Sequence, residues 1–331
     1  MIKIEYPSVP QEYLDYIDHF KGKIKKWYDA GEMGNKAGKI SLCDECKLLF
    51  RFLLKSDNLK KLLLLTADQL PVLINETERH FPVLKNDRIN RPKTRSNLYL
   101  CLNKAFYSLG YCEPLFPDFK LTQALGLKAC PYCNEEEIIV WDFEDEGLTI
   151  KNSELDHFYP RELYPYLAIS LYNLVPSGKI CNQGDCKHNK DTLVEGLKSP
   201  FELPDSEGFL FELVLDKGGI TSYDTFSTSC GIETHVVYKD LYDNARVFRI
   251  NLRYSTEMKQ ARRVWSLHKH CEAEGYQKMA AQKEKALGTT FTFDQWFESE
   301  LDIIPHDYNK HKLSKLSMDI WRQLEKMRPV V

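Results

Sequence analysis

The chain has 331 residues, 43% hydrophobic and 28% charged, with a formal net charge of −3. That length supports real cores without disulfides, the composition excludes disorder as the main state, and the charge excludes a surface that attracts nucleic acid everywhere. Polyanion binding is therefore expected only at local basic patches or through a partner.

In chain order, residues 1–122 are expected to be helical. In "PQEYLDYIDHFKGKIKKWYDAG", Tyr13, Leu14, Ile17, Phe20, Ile24, Trp27 and Tyr28 recur at amphipathic-helix spacing, with Gly31 as the stop. The pattern continues through "LCDECKLLFRFLLKSDNLKKLLLL" and "ADQLPVLINETERHF", and "KNDRINRPKTR" (85–95) then reads as a basic connector. Residues 123–200 change character: "CPYC" is a knuckle leading into a short hairpin built on Ile138 to Trp141 and Leu148 to Ile150. From 201 to 331, "FLFELVLD" and "THVVYKD" read as strands and the remainder as helix. The opening stretch has no basic-then-apolar leader, and no run is apolar enough to span a bilayer, so a cytoplasmic location is expected.

Ten cysteines in a reducing compartment point to thiols and metal ligation. Cys130 and Cys133 have the two-residue gap with which a tight turn grips tetrahedral Zn²⁺, and Cys181 and Cys186 form a second pair, so the four are expected to make a closed structural zinc site. Cys43 and Cys46 continue into Leu49, Phe50 and Leu53 at helical spacing and are read as a core stripe.

Between the two zinc pairs, "SELDHFYP" places Asp156 and His157 at the end of a strand, with side chains on opposite faces. The carboxylate is a hard oxygen ligand suited to Mg²⁺ or Mn²⁺, and the neutral imidazole can take a proton from water. Asn173 is placed to orient that imidazole through its amide, and Asn182, His188 and Asn189 offer a second metal ligand.

"CPYC", "DHFYP", "YNLVP" and "CN", followed by Lys187 or Lys190, resemble the HNH (ββα-metal) endonucleases across residues 130–191. The resemblance implies that His157 activates water, Asp156 holds the divalent ion, Asn173 fixes the loop and the histidine, and either Asn182 or His188 completes the metal site. Asn182 stands nine residues after Asn173, the family's offset, whereas His188 is in place if the knuckle is counted from Cys186. Gly178 occupies a position where the family has a cysteine, and Cys186 is the candidate replacement.

More loosely, "LDHFYPRELYPYLAISLYNLVPS" and "LSKLSMDIWRQL" look like the HNH subunits that accompany an SMC-like ATPase in Septu-type antiphage systems. The expectation is an α+β protein: a zinc-stapled ββα nuclease module between mainly helical flanks, hydrolysing phosphodiesters with Mg²⁺ or Mn²⁺, DNA favoured, alongside an ATPase partner. The alternatives are an RNase, for example tRNA-cleaving, and a non-catalytic zinc-knuckle binding module. Candidate nucleic-acid contacts are Arg88, Arg91, Lys93 and Arg95, the late lysines Lys187 and Lys190, and Arg262 and Arg263 of "KQARRVW".

Overall fold

A computed structural model describes residues 1–34, 38–143, 148–183, 186–215, 226, 230–305 and 307–327. It is a mixed α+β structure with small two-stranded antiparallel sheets. The chain divides into two compact units. One comprises Glu5–Leu125 with Val140–Glu202, and the other Met1–Ile4, Gly126–Ile139 and Leu203–Val331, so residues 123–200 are shared between them.

The first unit opens with α1 (Gln11–Ala30), which buries Tyr13, Ile17, Phe20, Ile24 and Trp27 of the expected stripe together with Tyr16, while Leu14 and Tyr28 are half-buried. Gly31 ends it in the left-handed region (φ 68°), returning its N–H to the Tyr28 carbonyl. After strands β1 (Glu32–Met33) and β2 (Ile40–Ser41) come α2 (Asp44–Leu53), α3 (Asn58–Leu63), α4 (Leu70–His80), α5 (Pro82–Asn90) and α6 (Asn97–Leu102). Cys46, Phe50 and Leu53 form the buried face of α2, whereas Cys43 is its half-buried N-cap.

The expected connector at 85–95 is helical as far as Asn90. Pro82 pre-sets the first helical turn, and Leu84, Asp87 and Arg88 are buried, so packing overrides the polar composition. Arg91, at φ 43°, ends the helix with its N–H on the Asp87 carbonyl. A π-helical segment, Asn103–Tyr111, continues from α6 and is followed by α7 (Asp118–Leu125).

β3 (Val140–Phe143) pairs with β4 (Leu148–Lys151), and β5 (Glu154–His157) with β6 (Leu174–Ser177). In the second hairpin Glu154 faces Ser177, Asp156 faces Val175 and His157 faces Leu174, and the one-turn helix α8 (Lys179–Asn182) follows directly.

The second unit packs β7 (Phe209–Leu215) against β8 (Cys230–Val236), with Phe209, Phe211 and Leu213 buried. Its helices are α9 (Tyr242–Val247), α10 (Ile250–Tyr254), α11 (Met258–Glu274), α12 (Tyr276–Leu287), α13 (Phe293–Leu301) and α14 (Ser314–Lys326). α14 satisfies the outer edge of β7: Asp319 accepts from the Phe211 N–H and Gln323 from the Leu213 N–H. No helix among the described residues is long and apolar enough to cross a membrane.

Candidate functional site

Period-two alternation along β5 sends Leu155 and His157 to one face and Glu154 and Asp156 to the other. His157 Nε2 lies 2.9 Å from the Ala168 carbonyl oxygen. A carbonyl can only accept, so in the neutral ring Nε2 carries the hydrogen and Nδ1 is the bare, basic nitrogen. Burial, reinforced by the charges of Lys187 and Arg161, pushes this imidazole down to about 3 even though the Ala168 hydrogen bond opposes the shift. His157 is thus neutral at physiological pH, and the burial that keeps it neutral also makes Nδ1 a weaker proton acceptor than a free imidazole.

The loop that brings Ala168 to His157 is held by Asn173, which is completely buried. Its Oδ1 accepts from the Tyr159 N–H at 2.8 Å, and its Nδ2 donates to the carbonyls of Tyr159 and Leu167. Its backbone carbonyl accepts from the Phe158 N–H. The amide is therefore spent on the loop, and it acts on the imidazole through Ala168 rather than by the direct contact expected from the sequence.

On the opposite face, Asp156 is 3% exposed and its Oδ1 lies 2.8 Å from the Lys187 ammonium, itself 1% exposed. Lys187 also donates to the His157 carbonyl at 2.7 Å. Burial lowers the affinity of Lys187 for its proton, and the Asp156 charge works against that. Asn182 Nδ2 donates to Glu154 at 2.7 Å, and Gln183 donates to the same carboxylate. His188 is exposed, at φ 41°. Glu154, Asp156 and Asn182 carry side-chain oxygens on this face, and the Asp156 oxygen is held by the lysine. A cation using Asp156 Oδ1 has to displace the lysine.

The basic residues fall into two groups. Lys187 and Arg88 are internal, which corrects their expected place on nucleic acid. Arg88, 8% exposed, makes a bidentate pair with Glu78 (2.6 and 2.9 Å) and reaches Asp191 at 2.9 Å, and Asp191 also accepts from Tyr164 Oη. This brace anchors the chain just beyond Lys187. Arg91, Lys93 and Arg263 are exposed, while Arg95, Lys190 and Arg262 are half-buried. Arg95 lies over the Tyr99 ring and donates to the Asp87 carbonyl, and Lys190 donates to the Cys186 carbonyl.

Sequence reasoning missed the aromatic wall beside the imidazole. The π-helical segment puts the Tyr111 ring 4.7 Å and the Tyr107 ring 6.4 Å from the His157 ring, and Arg161 stacks on Tyr107. A π-helix has no simple apolar period, so composition did not signal this; the Arg161 next to Pro160 was visible but carried no partner.

The knuckle belongs to the other unit. The Asn134 N–H bonds the Cys130 carbonyl, Asn134 turns left-handed (φ 58°), and the Glu135 N–H lies 3.4 Å from Cys133 Sγ. The buried Asn134 side chain ties this turn to the start of α14, donating to the Tyr308 carbonyl and accepting from the Lys315 N–H. The ligand atoms of Cys130, Cys133 and Glu136 lie within 4.8 Å of one another, a cysteine and glutamate cluster that could hold an ion such as zinc. Glu136, which cysteine spacing does not reveal, also receives Arg253 at 3.2 Å. Cys181 and Cys186 are both buried and belong to the first unit.

No family model, curated protein or solved structure matches the chain.

Proposed function

We propose that the protein is a metal-dependent endonuclease of the HNH type that hydrolyses nucleic-acid phosphodiester bonds, with DNA the favoured substrate. The observation that carries this reading is the His157–Ala168 hydrogen bond, which leaves a neutral imidazole with Nδ1 bare at the end of a β-hairpin that runs directly into a short helix. In this role His157 Nδ1 takes a proton from the attacking water, and Asn173 keeps the loop and its Ala168 carbonyl in place so that the tautomer does not change. Asp156, with Glu154 and Asn182 on its face, is the proposed ligand set for Mg²⁺ or Mn²⁺, and His188 is the alternative to Asn182. Such an ion supplies positive charge to the phosphorane and the leaving oxygen.

Zinc at the Cys130–Cys133 knuckle is proposed as a structural ion, and the cysteine spacing adds Cys181 and Cys186 to its ligands. The defence role and the SMC-like ATPase partner rest on the looser sequence resemblance. The test is incubation of the protein, alone and with an SMC-like ATPase of the kind the resemblance implies, with labelled DNA and RNA in Mg²⁺ or Mn²⁺. Cleavage of DNA supports the reading, cleavage of RNA alone favours the RNase, and metal-independent binding without cleavage favours a zinc-knuckle binding module.

A further inference from the structure

Beside His157 sits a cation that proton transfer leaves unused. The Arg161 guanidinium carbon lies 3.6 Å from the centre of the Tyr107 ring, and that ring borders the imidazole at 6.4 Å. Arg161, Tyr107 and Tyr111 are all half-buried, so the group is within reach of solvent without being surrounded by it. Lys187, Arg88 and Arg253 each have a carboxylate partner. Arg161 has none among the described residues. Stacking on a ring fixes the guanidinium plane and leaves its N–H edge for an anion. A preoriented, partly desolvated cation next to a neutral base is the environment in which charge on a phosphoryl oxygen is most strongly stabilised.

We propose that Arg161, held face-on by Tyr107, grips a non-bridging oxygen of the phosphodiester presented to His157. The inference rests on the nuclease reading for its geometry and extends it to the residue that holds the substrate. It also explains why the half-buried arginine is stacked on an aromatic ring rather than paired with an acid.

The test uses the full chain with Arg161→Gln and Arg161→Lys, and Lys25→Gln on the exposed face of α1 as a charge control. Binding of a labelled oligonucleotide is measured against salt in a His157→Ala background, and kcat and KM are measured with His157 present. Melting temperatures confirm that each variant is folded. Arg161→Gln is expected to weaken oligonucleotide binding about tenfold, to flatten the salt dependence by about one unit of slope, and to lower kcat/KM about 100-fold. Arg161→Lys is expected to recover most of the binding and little of kcat, because an ammonium keeps the charge but not the fork. Unchanged affinity and salt slope in Arg161→Gln overturn the proposal, whatever the wild type cleaves. Reduced affinity in Arg161→Gln from a wild type that binds but does not cleave keeps Arg161 as the phosphate contact and removes the nuclease reading instead.

Discussion

Lys187 and Asp156 form an ion pair inside the protein, 2.8 Å apart and with neither side chain more than 3% exposed. Each offsets part of the cost of burying the other, and Lys187 also donates to the His157 carbonyl. Lys187→Met is expected to cost about 3–5 kcal/mol, because it leaves a buried carboxylate without its cation, and the Asp156→Asn, Lys187→Met double variant should lose less than the sum of the single losses. Urea unfolding of the four proteins measures the coupling. Strict additivity contradicts the pairing.

The pH dependence follows from His157. Its folded-state affinity for protons is depressed to about 3 by burial, against roughly 6.5 in an unfolded chain. Catalysis by the neutral base should therefore show no inflection near 6.5 and remain flat as pH falls to about 5, lower than an ordinary imidazole allows. For stability, the unfolded chain binds a proton below about 6.5 that the native state refuses until about 3. The stabilisation from His157 is complete above the unfolded value and is lost as pH falls through the folded one. Wild type is expected to lose melting temperature more steeply than His157→Asn between pH 7 and pH 4. Parallel curves would show that the ring is not held neutral.

Arg88 offers a contrast with the exposed cations. Removing it should destabilise the fold by about 3–5 kcal/mol, since Glu78 and Asp191 lose a buried bidentate partner, while changing the salt dependence of nucleic-acid binding little. Removing Arg91 or Lys93 should do the reverse, at about one unit of salt slope for each phosphate no longer neutralised. Denaturation and filter binding on the same variants separate the two cases.

The zinc prediction is compositional. Folded, reduced protein should carry about one equivalent of zinc that resists mild chelation, and Cys130→Ser or Cys133→Ser should lose it. Cys181→Ser and Cys186→Ser, measured separately, report whether either changes the zinc content. Glu136→Gln shows whether the carboxylate is a ligand or only the partner of Arg253. Cys43→Ser should leave the zinc content unchanged, and loss of zinc there would move the site to the α2 pair.

The parts of this arrangement that were legible in the sequence are those set by local chemistry. The face of α1 follows from a period of three and four, and the opposed faces of Asp156 and His157 follow from the strand period. The unread parts depend on residues remote in the chain. Whether Arg88 meets solvent or Glu78 is decided by the packing of α5, and no composition rule places Lys187 on Asp156 across thirty-one residues. Ala168 is a residue without side-chain chemistry, yet its carbonyl sets the histidine tautomer. Its position depends on the amide of Asn173, whose target was legible only as a general need for orientation. The cysteine and glutamate cluster shows the same limit, because a Cys-x-x-Cys spacing announces two thiols and is silent about the carboxylate three residues on.

The most direct test of the central claim, that His157 is the general base, is cleavage of labelled DNA and RNA in Mg²⁺ or Mn²⁺ by wild type and His157→Ala, with binding measured on the same preparations. The account predicts that His157→Ala binds nucleic acid as wild type does and retains zinc, while its turnover falls by at least about 100-fold. Full activity of His157→Ala, under conditions where the wild type clearly cleaves, would contradict it.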